Sequence, residues 1–262
     1  MTGLGSVIQQ KMITVENIIR KNQQGFAQVI QFDAHSQKLA AIDLTENNNG
    51  LDQMIYNDTE LFISYLEALR RKQRADYLVG GYDELRMIYG RSELFNTAKT
   101  VRSIDGPVAV NDTTITSAEE AEPRRLHIGT DIWGPVGTPV FAFMGGMVHS
   151  FAFNDRHSDY GATLILSHQL DSVSFYTLYG HISLRDIHYI NEGDYVVRGQ
   201  EIAHFGDKHE NGHWPPHLHF QIIGDMELYE GDYPGVCRFS ERKKYLANCP
   251  DPDLILQLNK HL

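Results

Sequence analysis

The sequence predicts a mainly β protein, an antiparallel β-sheet domain preceded by a smaller mixed α/β N-terminal region. Three observations carry that prediction. Beyond about residue 124, apolar runs of four to seven residues recur between turn signals, the texture of short strands with glycine-rich turns. Before residue 100 the apolar spacing is helical in two places and strand-like in two others,. Between these halves, IDGPVAVNDTTITSAEEAEP at 104–123 is polar and punctuated by proline and glycine, which places a boundary there,.

In chain order, Ile8, Met12, Val15 and Ile19 repeat near the helical period and predict a helix over 6–22,. Ala27–Phe32 and Leu39–Leu44 read as two short strands, and TENNNG at 45–50 is a turn by composition,. Asp58 is a good N-cap; Leu61, Tyr65, Leu66 and Leu69 after it predict a second helix ending in Arg70, Arg71 and Lys72,. A basic last turn suits the helix dipole, so that run is a solvated helix end and not a binding patch. Strands are predicted at His127–Trp133, Pro139–Phe143, Met147–Phe153, Thr163–His168, Ser174–Leu178, Tyr195–Val197 and His217–Ile223. A loop containing Pro234 and Pro250 and a short apolar run at Leu254–Leu258 follow. The predicted organisation is a mixed α/β region over 1–103, a β domain over 104–224 and an extension over 225–262.

Composition narrows the function classes. The chain has 262 residues, 42% apolar and 22% charged, with a formal net charge of −11, which is ordinary for a globular protein. A chain so acidic does not seek phosphate backbones or anionic membranes, so nucleic acid is excluded as an expected partner. No stretch approaches a membrane span, and the N-terminus lacks an apolar signal-peptide core,; the expected location is cytoplasmic. Cys237 and Cys249 are too few for a disulfide scaffold and lack the CxxC spacing of a zinc knuckle, so two reduced thiols are expected, with one C-terminal bridge as the alternative,.

The chemistry concentrates in three places. In NGHWPPHLHFQI at 211–222, a strand period of two puts His217, His219 and Gln221 on one face and Leu218, Phe220 and Ile222 on the other,. Pro215 and Pro216 cannot donate to a ladder, so the strand begins after them. One strand thus packs below and presents nitrogens above, lining a cleft or the surface. His127 and Asp131, in HIGTD, would lie about 13 Å apart along a straight strand; to share an ion, the chain must bend between them, and Gly129 permits it,. In FYTLYGHIS at 175–183, His181 follows an alternating run at a strand end. Two imidazoles and a carboxylate with one position open to water match a catalytic zinc site better than a closed structural one. Neutral histidines left over beside it would take a proton or donate to an oxyanion.

HIGTD, GPVGTPVFA, GATLILSH, YGHIS, VVRGQEIAHFGD and PPHLHFQ occur in the order found in zinc metallopeptidases of the LytM/lysostaphin type. The segment from about 124 to 223 resembles that family, whose β fold is called the duplicated hybrid motif. The resemblance implies that His127, Asp131 and His219 bind Zn2+ and that His217 and His181 are the catalytic imidazoles. It implies a zinc-dependent peptidase, in which zinc-activated water attacks a peptide carbonyl, with a peptide or peptidoglycan fragment as substrate. Three features depart from the family's pattern: Trp214 and Pro215 precede the His pair, Gln221 stands where the family has Glu, and no export signal is visible. The flanks GGYDELRMIYG and CPDPDLIL resemble a subgroup found in fusions between kinase-like and aminotransferase modules. Two alternatives are a catalytically silent binding or regulatory module on the same fold, and a cupin-like metal barrel using both histidines of the HxH pair. The barrel would want a Glu shortly after His219, where the chain reads FQIIGD. His149, His168, His204 and His209 have no assigned role, His168 being read as cleft support, and His213 stands near enough to the prolines to reach the cleft.

Overall fold

Alternation in the C-terminal half becomes sheet in a computed structural model of the chain, which describes residues 15–96, 100–103, 106–109 and 122–262. In chain order its strands are β1 (Leu39–Ile42), β2 (Tyr77–Gly80), β3 (Glu84–Leu85), β4 (Thr100–Ser103), β5 (Gly106–Ala109), β6 (Leu126–His127), β7 (Thr130–Trp133) and β8 (Pro139–Phe141). Then come β9 (Gly146–Asn154), β10 (Gly161–Leu170), β11 (Val173–Ile182), β12 (Tyr195–Val196), β13 (Glu201–His204), β14 (His217–Ile223) and β15 (Val236–Cys237). Eight form one sheet in the order β1-β2-β7-β14-β11-β10-β9-β12. A second sheet of three runs β15-β6-β3, and β13-β8 and β4-β5 are two-stranded. The large sheet is antiparallel except where β1 pairs β2 in parallel. The mainly β fold class stands.

The pleat decides which side chains meet. Leu218, Phe220 and Ile222 of β14 join the largest core, with Leu164 and Leu166 of β10 and Tyr179 of β11. Full burial of such side chains contributes roughly 1.5–3 kcal/mol each. The helix at 15–22 lays Val15 and Ile19 on this core, and Leu254 and Ile255 reach it from the C-terminal extension. On the other side, Trp133 packs with Phe62 and Leu66 of the helix Thr59–Gln73 and with Trp214.

Local expectations fare unevenly. Asp58 caps the Thr59–Gln73 helix, its carboxylate accepting from the Glu60 and Leu61 amides, and Arg70, Arg71 and Lys72 do end it. Phe62 and Leu66 are buried and Tyr65 and Leu69 pack against the same core, while Leu61 is exposed, so the predicted face holds at three of its four positions. Ala27–Phe32 is not a strand: it makes one isolated bridge, Ile30 to Val140, and Val29, Ile30 and Phe32 are buried without alternating. Of the helix expected over 6–22, Ile8 and Met12 lie outside the described residues, as does most of 104–123. His127–Trp133 divides into β6 and β7 at Ile128–Gly129, as a bend between His127 and Asp131 requires. Cys237 and Cys249 are free, buried thiols. Among the described residues, no helix is long and apolar enough to cross a membrane.

A candidate metal centre with two neighbouring imidazoles

Register assembles the site. In the β14–β7 ladder His219 stands opposite Asp131, in the β11–β14 ladder Gly180 stands opposite His219, and in the β2–β7 ladder Gly80 stands opposite Asp131. Directly opposed residues share a face of the sheet, so Asp131 and His219 project together. His127 arrives from the smaller sheet, where β6 is held between Glu84 of β3 and Val236 of β15. Gly129 permits this because of space and not because of a special dihedral. A Cβ there would stand 2.4 Å from His219 Cε1 and 2.5 Å from its Nε2.

Three ligand atoms converge. His127 Nε2 lies 3.0 Å from His219 Nδ1, His219 Nδ1 lies 3.0 Å from Asp131 Oδ1, and His127 Nε2 lies 3.2 Å from the same oxygen. A tetrahedral ion with bonds of about 2.0–2.1 Å has ligand–ligand edges of about 3.3–3.4 Å, close to this triangle. The outer ring nitrogens are committed elsewhere: His127 Nδ1–H donates to the Gly81 carbonyl at 3.0 Å, and His219 Nε2–H to Gln221 Oε1 at 2.9 Å. Those bonds fix tautomers whose lone pairs both face Asp131. Two lone pairs and a carboxylate oxygen without a proton between them is a donor set that a cation satisfies. His217 stands outside this set, unlike the arrangement of the cupin-like alternative.

Arg86 is one of two site residues that the sequence did not reveal. Fully buried, it donates from Nη1 to Asp131 Oδ2 at 2.5 Å, from Nε to Glu84 Oε2 at 2.6 Å and from Nη2 to the Gly81 carbonyl at 3.2 Å. The guanidinium occupies one carboxylate oxygen and leaves Oδ1 for the triangle. Burial opposes ionising Asp131, and the His127 ring and the Arg86 guanidinium beside it outweigh that, holding its carboxyl well below the usual range. His127 is pushed down to about 4 by burial and by Arg86.

The other two histidines stand beside the triangle. In a regular β11, His181 would point with Tyr179 into the core. A β-bulge intervenes: Ala162 pairs Ile182 while Leu164 pairs Tyr179, and His181 takes the left-handed region at φ 62°. The extra residue turns Gly180 and His181 toward the site and returns Ile182 to the core,. Left-handed backbone at a residue with a Cβ costs roughly 1–2 kcal/mol. His181 Nδ1–H donates to the Asn211 carbonyl at 2.8 Å and His217 Nδ1–H to the Pro215 carbonyl at 2.7 Å, leaving each Nε2 with a lone pair. His217 is stacked on Trp133 with centroids 3.9 Å apart, and His181 lies 4.1 Å from it. Burial pushes His217 down to about 4; burial and the neighbouring His217 push His181 well below its usual value. Both are neutral bases at pH 7. Tyr160, also unforeseen, brings its hydroxyl to 3.4 Å from His219 Nε2, and burial raises that phenol far above its usual value, so it stays protonated.

Asp131, His181, His217 and His219 line one pocket, with about 40 Å³ of room for water-sized spheres. None of the five predicted site side chains is more than 6% exposed. His168 is not at the cleft: it is buried between Phe143 and Phe175, bonded to the Gly145 carbonyl and Thr177 Oγ1. His213 is exposed, stacks on His157 and does not line the pocket.

Residues 125–229, the stretch holding all five, match the description Peptidase family M23. The chain is 32% identical over 111 residues to peptidoglycan DD-endopeptidase ShyC of Vibrio cholerae serotype O1 (strain ATCC 39315 / El Tor Inaba N16961), covering 38% of this chain and 23% of that protein. It is 31% identical over 140 residues to ShyB, a peptidoglycan DD-endopeptidase of the same strain, covering 51% and 30%. The chain thus spans less than a third of either relative's length. Among solved structures, the catalytic domain of lysostaphin from Staphylococcus simulans is 28% identical, over 51% of this chain and 80% of that one, with a TM-score of 0.34.

Proposed function

Taking as premise that residues 125–229 are an M23 peptidase match, we propose that the chain is a zinc-dependent peptidase or amide hydrolase. The peptidase unit is the segment 104–224, framed by 1–103 and 225–262. The carrying observation is the triangle of His127 Nε2, Asp131 Oδ1 and His219 Nδ1, whose edges of 3.0–3.2 Å and preset tautomers suit one small divalent cation,. Those three atoms would hold the ion, and zinc bound there supplies Lewis acidity and a more acidic water.

The chain's own residues do the rest. His217 Nε2 and His181 Nε2, unprotonated and fixed by their Nδ1–H bonds, accept the proton of the attacking water and return it to the departing amine,. The Tyr160 hydroxyl, kept protonated by burial, stands beside the outer nitrogen of the His219 ring. Burial of all five side chains excludes bulk water, which strengthens each of these interactions,. The peptidoglycan endopeptidases among the relatives support a peptide bond as the target. Two free thiols and the charge of −11 favour a reducing, cytoplasmic setting and a soluble fragment over an anionic wall,.

Near-complete burial of the site also favours a second reading, a silent binding module. Zinc stoichiometry and mass-spectrometric detection of new amine termini in peptide and peptidoglycan-fragment mixtures decide between them. One bound zinc with cleavage supports the hydrolase; zinc without cleavage of any substrate supports the silent module; no zinc removes the basis of the hydrolase.

A further inference from the structure

We propose, resting on the hydrolase reading, that residues 81–86 are a positioning element of the metal centre, in which Arg86 restricts Asp131 to a single oxygen for the cation. These residues lie outside the matched segment 125–229, so the chain completes its site from the N-terminal region. Asp131 Oδ1 stands in the triangle, while Oδ2 accepts from Arg86 Nη1 at 2.5 Å. A carboxylate binds a cation through one oxygen or through both. Binding through both would crowd the position that a catalytic site keeps open for water. With the guanidinium on Oδ2, Oδ1 alone is offered.

Several features of the segment serve that task. The Gly81 carbonyl accepts from His127 Nδ1–H at 3.0 Å and from Arg86 Nη2 at 3.2 Å. One backbone group thus orients the His127 ring directly and the Asp131 carboxylate through the guanidinium. Glu84 Oε2 accepts from Arg86 Nε at 2.6 Å, setting a second carboxylate against the arginine charge beside the place for a cation. Space is reserved as well. Gly80 stands opposite Asp131 in the β2–β7 ladder, and a Cβ there would come within 2.8 Å of Arg86 Nη2. Backbone bonds tie the segment to the strand that carries His127: β3 pairs with β6, the Asp83 amide donates to the His127 carbonyl at 3.0 Å, and the Arg86 amide donates to the Arg125 carbonyl at 2.9 Å. Stability alone does not account for the arrangement, because apolar residues of similar volume commonly hold a core as well as a buried ion pair does. Orientation of a metal ligand does account for it. Arg86 acts through Asp131 and is a positioning residue.

The test uses the full chain loaded with zinc. Its crystal structure is expected to show zinc held by Asp131 Oδ1 alone, with Arg86 Nη1 still on Oδ2 and four ligands in all. X-ray absorption then counts the neighbours of zinc in solution, in the native chain and in two variants. Arg86→Met removes the guanidinium; Gly80→Ala crowds it off Asp131 and leaves every charge in place. Both are expected to move the count from four to five as Oδ2 joins Oδ1. A merely structural arginine would lower stability and leave the count at four, and that result in a folded variant overturns the proposal. So does a native structure in which both oxygens bind zinc, or in which Arg86 has left Asp131. Either failure leaves the hydrolase reading standing. Native protein that takes up no zinc overturns the hydrolase reading and this proposal with it. Should Arg86→Met not fold, Gly80→Ala and the native structure still decide.

Discussion

Five buried polar side chains meet in one place, yet the triangle and the imidazole pair beside it are built differently. In the triangle, each histidine's outer N–H is bonded to protein and its inner lone pair faces Asp131, itself charged and braced by Arg86. In the pair, His181 and His217 are bonded through Nδ1 in the same way, but neither Nε2 is hydrogen-bonded to a carboxylate. Equal burial with and without a bonded anion separates a place that holds a cation from a place that holds neutral bases. The difference is testable from both sides.

The largest effect comes from breaking the triangle. His219→Ala, Asp131→Ala or His127→Ala is expected to remove the single bound zinc and with it all hydrolysis, read as metal content and turnover. His181→Ala and His217→Ala should keep zinc and lose about 10²–10⁴-fold in turnover, the usual weight of a positioned acid–base group. Zinc loss common to all five variants would erase the distinction. Next comes the brace. Arg86→Met leaves Asp131 buried with one oxygen unpaired and should destabilise the fold by about 3–5 kcal/mol, measured by urea unfolding of the zinc-free protein. A loss under about 1 kcal/mol, the weight of a surface pair, would show that the ion pair does not anchor the N-terminal region to the site.

Much of the triangle was legible because the rules that place it are local. Parity in HLHFQI puts His217 and His219 on one face, and HxxxD with a central glycine demands a bend. What sequence could not reveal depends on long-range closeness. Arg86 reaches Asp131 from 45 positions away, and its segment forms short 3₁₀ turns that have no helical or strand period to detect,. His181 was legible as a residue and not as a direction, since a bulge is a feature of two paired strands. Gly129 was noticed for its flexibility, whereas the fold uses its missing side chain. Of the stripe Leu61, Tyr65, Leu66 and Leu69, Leu61 alone faces outward; Phe62 fits against Trp133 instead, with ring centroids 5.8 Å apart.

A smaller effect separates functional from structural burial. His168 is pushed down to about 4 by burial, far from the pocket. With an ordinary imidazole value near 6.5 in the unfolded chain, the unfolded state binds more protons between about pH 6.5 and 4. Stability therefore falls as the pH drops through that window, by roughly 3 kcal/mol at most from this residue, and is regained above it. His168→Gln should flatten the slope of Tm against pH over that interval without changing zinc content. An unchanged slope would assign the acid sensitivity to the other buried histidines.

The smallest effect concerns the position where the family has Glu. Gln221 is fully buried, and its Oε1 already accepts from His219 Nε2–H at 2.9 Å while its Nε2 donates to the Pro234 carbonyl at 3.1 Å and to Cys249 Sγ at 3.2 Å. Gln221→Glu would make the His219 ring more basic, which favours zinc. The same change deletes both Nε2 donations, sets an anionic oxygen against the Pro234 carbonyl and buries one more negative charge, all of which oppose it. Because gain and loss act on the same ring, zinc affinity measured by chelator competition should move by less than about tenfold, the lower bound for groups that support a metal ligand. A gain of 100-fold would mean that the acceptor's charge outweighs its position, and that the lone pairs of the triangle are tuned more by that charge than by the bonds that orient them.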